Sequence, residues 1–251
     1  AEVVVTGKMP SDAPNCTVRA WGGITYAEER HRDELFRQVV YTGGWLNDQN
    51  LVETFCSEVP RRVAELAEFG VKLDVLKQAD LRHVLGMAKI PGSGPNTGYG
   101  LTRPLRHRAE ALGVRFLDST LIAELTTEGG GVTGAAAVDL ERGAVIPVAA
   151  RAVVLASGGG AGMFGRTDNP AGTTGDGLAL AYRAGAKLID LECVSFQYPE
   201  EKLERLLAAG GAPPEDFLDA GTAHYFLGGV AIDSATATSV DGLFAAGECA
   251  G

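Results

Sequence analysis

The stretch AVVLASGGGAGMFGRTDNPAGTTGDGLALAYRAGA, residues 152–186, decides the fold. Its first five residues are an apolar run suited to a buried strand, broken at Gly158, Gly159 and Gly160. The chain resumes at Gly177 as a helix of small residues. Glycines let backbone approach a ligand without an intervening Cβ, and a helix N-terminus offers unpaired N–H groups to polar or anionic atoms. A nucleotide-type cofactor is the natural occupant, with Ala156, Ser157 and Gly158 as backbone contacts. Thr167, Asn169, Thr174 and Asp176 lie among these glycines, where a merely structural turn needs one or two polar residues. Asp176 also suits the N-cap of the following helix, and the two roles are compatible.

Two further motifs follow, HYFLGGVAID at 224–233 and GLFAAGECAG at 242–251. With LASGGGAG and RTDNPAGTTGDGLALAYRAGA, in this order, they resemble the FAD-binding flavoprotein subunits of fumarate reductase and succinate dehydrogenase, with L-aspartate oxidase among their relatives. The resemblance implies an α/β fold: a Rossmann-like FAD/NAD(P)-binding domain with a parallel sheet, helices and a β-meander. It places that domain over residues 1–199 and 223–251, with 200–222 as a much reduced capping insertion.

Upstream, residues 2–6 read as the second strand of a dinucleotide-binding unit, ending at Thr6-Gly7-Lys8. An acidic residue is usual beside the ribose here, whereas the resembled family places a small residue and a lysine. The glycine fingerprint that should precede this strand would lie before Ala1, so the chain reads as a fragment cut at both ends that binds FAD poorly alone. Asn15-Cys16-Thr17, then Gly22 and Gly23, suit either a loop close to a flat ring or a plain surface turn. The resemblance selects the first. It also puts Cys16 where the membrane-bound enzymes carry a flavin-attaching histidine, which implies non-covalent FAD.

Apolar residues at helical spacing predict helices over 32–40 and 48–69, with Pro60 a point of kinking or breakage. Trp45 and the nearby tyrosines read as packing residues, and 71–76 as a short strand. A glycine- and proline-rich loop at 91–102 leads into a helix over 103–112, whose start carries Arg103, Arg106, His107 and Arg108 as a solvated basic face or an anion contact. Segments 114–117, 121–126, 132–138 and 145–148 alternate with glycine turns as a β-meander. His31, His83 and His107 have no partner pattern.

Residues 187–199 read as one strand and 200–220 as a polar helical segment. The resembled enzymes insert a capping domain there that carries a proton-donating arginine. This chain has only Arg205, on an ordinary-looking helix, and its Phe196-Gln197-Tyr198-Pro199 alters the family's Phe-His-Pro. His224 matches the family histidine that binds a substrate carboxylate, and Glu248 the acid that hydrogen-bonds a ribitol hydroxyl of the flavin.

The implied activity is hydride transfer between flavin N5 and a C4 dicarboxylate. The rivals are an L-aspartate oxidase-like or other FAD-dependent dehydrogenase, and a flavin-binding electron-transfer subunit with no dicarboxylate site. An iron–sulfur subunit is an implied partner. A net charge of −10 and a pI near 4.9 argue against nucleic acid. Cys16, Cys56, Cys193 and Cys249 lack CxxC spacing, so a metal or iron–sulfur site on this chain is not expected. No apolar stretch approaches the ~20 residues of a membrane span. The thiols fit a reducing, cytoplasmic compartment, peripheral to a membrane only through partners.

Overall fold

The computed structural model describes residues 1–10, 13–20, 23–76, 87–91, 97–199, 201, 204 and 221–251. Gly22, His83, Arg205 and nearly all of the expected capping remnant lie outside them. The chain divides into two compact units, residues 1–119 and 120–251.

In the first unit, β1 (Val4–Thr6) pairs in parallel with β5 (Arg115–Leu117). The short helix α1 (Cys16–Arg19) and strand β2 (Gly23–Thr25) follow β1, and β2 pairs antiparallel with β4 (Met87–Lys89), as does β3 (Asp74–Leu76). Helices α2 (Arg32–Thr42) and α3 (Gln49–Glu68) build the core. On α3, Val52, Cys56, Val59 and Val63 recur at intervals of three and four, so one stripe is buried, against Leu35 and Val40 of α2. The Asp48 carboxylate caps α3, accepting the Asn50 N–H at 2.8 Å. Pro60 sits inside α3 without ending it, because the buried stripe continues on both sides. Burial raises the Cys56 thiol above its ordinary value, and Glu53 adds to the rise.

Three expectations change here. Segment 115–117 is not part of a meander: its hydrogen bonds go to β1. Helix α4 (Tyr99–Ala111) starts earlier than glycine and proline content suggests, with Gly98 at its N-cap, so the arginines lie in its middle and last turns. There they have local partners: Arg106 pairs with Glu110 and Asp118, Arg103 lies over the Tyr99 ring, and Arg108 faces Phe69. Trp45 is 69% exposed and Tyr41 75%, so neither packs as expected; Trp45 occupies a left-handed turn (φ 66°) just past α2.

In the second unit, β6 (Thr120–Glu128), β7 (Gly131–Asp139) and β8 (Ala144–Ala149) form the antiparallel meander. Strand β9 (Val153–Leu155) pairs in parallel with β14 (Leu243–Ala245), and α5 (Asp176–Arg183) turns Leu178, Leu180 and Ala181 into the same core. Residues 187–199 are two strands, β10 (Leu188–Ile189) and β11 (Val194–Gln197), separated where Asp190 takes φ 50°. Strand β11 pairs antiparallel with β12 (Thr222–Phe226), and β10 with β13 (Gly229–Val230). The fully buried Leu243 and Val230 belong to one cluster with Leu155, Phe226 and Cys249, and the Cys249 thiol donates to the Leu155 carbonyl at 3.0 Å.

Candidate functional site

Strands β9 and β14 run side by side, so their carboxyl ends open at one edge. In open parallel sheets that edge is where ligands bind, because the loops leaving it expose backbone amides. Both exits meet the requirement. After β9, Ala156 and Ser157 are exposed and Gly158 adopts φ 75° with open space where a Cβ would stand. After β14, Ala246 and Gly247 are exposed, and Gly247 takes φ 75° with the same open space. The Ala246 N–H donates to the Leu155 carbonyl at 2.9 Å and holds the two exits together.

A Cβ on Gly159 would overlap the Glu248 carboxylate, and one on Gly177 would overlap the Ser157 hydroxyl. A side chain at either glycine would have to displace that neighbour. Glu248 lies in the turn Gly247–Cys249, and its Oε1 accepts the Phe226 N–H at 3.0 Å. The acid is therefore fixed against β12. Burial, and after it the Glu248 charge, raises the neighbouring Tyr225 hydroxyl above its ordinary value.

Strand β12 carries His224 inside the strand rather than ahead of it. Its Nδ1 lies 2.7 Å from Asp168 Oδ2. The Thr167 hydroxyl donates to the Ala223 carbonyl and accepts the Asn169 N–H, and Asn169 Nδ2 donates to the His224 carbonyl at 2.7 Å. Thr167 and Asn169, which the sequence offers as cofactor contacts, thus have hydrogen bonds that tie their loop to β12. Asp168 escapes the sequence reading: it is 56 residues from His224, and its one signal is its place between two polar residues of the same loop.

Asp176 is the first residue of α5, not its N-cap. Gly175 caps the helix at φ 68°, and the Asp176 carboxylate accepts the Thr174 hydroxyl at 2.9 Å. Beside this corner a groove of ≈580 Å³ is lined by apolar side chains including Met163, Phe164, Leu178, Tyr182, Leu191 and Phe226.

In the first unit, Gly7 leaves β1 by donating to the Leu117 carbonyl at 3.1 Å, followed by Lys8. Asn15 caps α1, its Oδ1 accepting the Val18 N–H at 2.9 Å and its Nδ2 donating to Ala13. Cys16 is partly buried, Thr17 exposed, and Gly23 opens β2. Gly98 and Thr97 both donate to the Ala20 carbonyl, so the start of α4 holds α1 in place. Among the described residues no cluster of His, Cys, Asp and Glu could hold a metal, and no helix is long and apolar enough to cross a membrane.

A family model described as FAD binding domain matches residues 2–200 and 216–251. The chain is 30% identical over 213 residues to one chain of the CoM/CoB fumarate reductase of Methanothermobacter marburgensis, covering 79% of this chain and 39% of that protein. It is 33% identical over 211 residues to L-aspartate oxidase of Streptomyces coelicolor, covering 77% of this chain and 35% of the other. The apo Mycobacterium smegmatis Sdh1 complex superposes with a TM-score of 0.82 at 25% identity, over 100% of this chain and 59% of that one. The chain thus spans less than two-fifths of the length of these curated relatives.

Proposed function

Because the chain belongs to the FAD-binding domain family, we propose that it serves an FAD-dependent oxidoreductase acting on a C4 dicarboxylate. The residues fit the cofactor: Ala156 and Ser157 are exposed, and Gly158 and, after β14, Gly247 leave open space where a Cβ would stand, so backbone can approach a ligand there. Bound FAD supplies hydride transfer at N5 of its ring. The carboxylate of Glu248, fixed by Phe226, takes a ribitol hydroxyl. In the first unit Gly7, Lys8, Asn15, Cys16, Thr17 and Gly23, with Gly22, are proposed as FAD contacts. It is held non-covalently, since a thiol stands at Cys16 where a covalent link would use histidine.

The observation that carries the substrate reading is His224, on β12 two residues before the N–H that anchors Glu248. The exposed imidazole there binds a substrate carboxylate through its outer nitrogen and orients its carbon chain. No proton donor is assigned. An iron–sulfur subunit is the proposed electron partner. The L-aspartate oxidase relative supports a second reading, oxidation of an amino dicarboxylate with oxygen as acceptor. The test reduces the FAD-loaded protein without oxygen, adds fumarate and follows flavin absorbance. Rapid reoxidation is expected, and His224→Ala should raise the fumarate concentration needed by about 10- to 100-fold, the loss of one charged hydrogen bond. Reoxidation by oxygen alone would move the assignment to the second reading.

A further inference from the structure

The loop that carries Asp168 does more than lie beside β12. Asp168 Oδ2 meets His224 Nδ1 at 2.7 Å, its Oδ1 accepts Asn169 Nδ2 at 3.0 Å, and Asn169 Nδ2 also reaches the His224 carbonyl at 2.7 Å. Side chain and backbone of His224 are thus tied to two adjacent loop residues, and both carboxylate oxygens are committed. An ionised carboxylate only accepts, so Nδ1 must be the nitrogen that donates. In the neutral ring that leaves Nε2 with a lone pair and no proton.

We infer that Asp168 is a positioning residue that fixes this tautomer, so that a dicarboxylate binds at Nε2 only as a proton is taken up there. This rests on the reading of His224 as the carboxylate-binding residue. The proton comes from solvent, adds to the Nε2 lone pair and leaves an imidazolium whose two N–H groups face two carboxylates, Asp168 and the ligand. No electrons move and no co-reactant is needed. Among the described residues, the elements packed on β12 bring few other charges. Strand β11 and the turn Ala161–Met163 are uncharged, the turn Gly247–Cys249 brings Glu248, and the loop brings Arg166, whose carbonyl accepts the Ala223 N–H.

The substitution Asp168→Asn separates tautomer from geometry. Its amide oxygen keeps the Asn169 bond, which turns the amide NH2 toward Nδ1. Nδ1 then accepts, and Nε2–H becomes a donor on a neutral ring. Fumarate binding to the oxidised FAD-loaded protein is measured by calorimetry in buffers of different ionisation enthalpy, across about pH 6 to 9. The parent should take up protons as fumarate binds, with Kd rising as pH rises. Asp168→Asn should bind with little uptake and a flat profile, and Asp168→Glu should restore part of the coupling.

Binding by the parent without proton uptake, but weakened in His224→Ala, would overturn the inference and leave the substrate role standing. Equal binding by His224→Ala would remove the substrate role and the coupling together. Nitrogen NMR of the His224 ring decides the tautomer even without fumarate: Nδ1–H is expected in the neutral parent and Nε2–H in Asp168→Asn. Nε2–H in the parent would overturn it.

Discussion

Each unit carries a pair of parallel strands with glycine beyond a carboxyl end, Gly7 after β1 in the first and Gly158 and Gly247 after β9 and β14 in the second, yet the two pairs are supported differently. In the second unit, β14 contributes the fully buried Leu243 and Ala245, β9 contributes Leu155, and α5, β12 and Cys249 close the same cluster. In the first unit the buried cluster lies between α2 and α3, and β1 contributes nothing to it: Val5 is 42% exposed. Helix α4, which holds α1, has no fully buried residue. A ligand edge built on a packed core is set before the ligand arrives. One built on exposed strands has less burial to hold it, since each large apolar side chain fully buried contributes about 1.5–3 kcal/mol.

The strongest challenge to this contrast is a matched pair of truncations. Leu243→Ala should lower unfolding free energy by about 2–5 kcal/mol, and Val5→Ala by less than about 1 kcal/mol, in urea titrations. Equal losses would erase the distinction. A smaller effect is expected from Gly159→Ala, whose new Cβ must displace the Glu248 carboxylate. FAD affinity, followed by flavin fluorescence, should fall about 10- to 100-fold, and unchanged affinity would detach Glu248 from the cofactor.

The smallest effect sharpens the contrast through acids held in different ways. Asp139 of β7 is held below the ordinary carboxylate range, first by the Arg142 N–H and then by the Glu141 N–H. Glu65 of α3 is lowered chiefly by the Arg62 side chain. With folded values below unfolded ones, both acids stabilise above about pH 4 and lose that contribution as pH falls through the lowered value. Stability compared between about pH 6 and 3 should decline less in Asp139→Asn and Glu65→Gln than in the parent. About 1 M salt should screen the Glu65 difference but not that of Asp139, whose main partners are backbone. Equal screening would remove this distinction.

Local pattern was sufficient for much of this fold. The 3.6-residue stripe on α3, the glycine-punctuated meander and the strand, glycine loop and helix from residue 152 each record burial of a face within one segment. Pattern failed where partners are distant. Strand β5 reads like its meander neighbours because a short strand segment between turns does not show which strand supplies its hydrogen bonds. Asp190 divided an expected single strand through a backbone angle that composition does not reveal.

The site divides along the same line. Gly158, Gly159, Gly247, His224 and Glu248 could be picked out in the chain because close backbone approach and titratable side chains require particular residue types. That Thr167 and Asn169 secure β12, that Glu248 rests on the Phe226 N–H, and that Asp168 meets His224 depended on folding. The physical reason is distance along the chain: 22 residues separate Glu248 from Phe226 and 56 separate Asp168 from His224. Only strand pairing and the shared core bring such groups within a hydrogen bond.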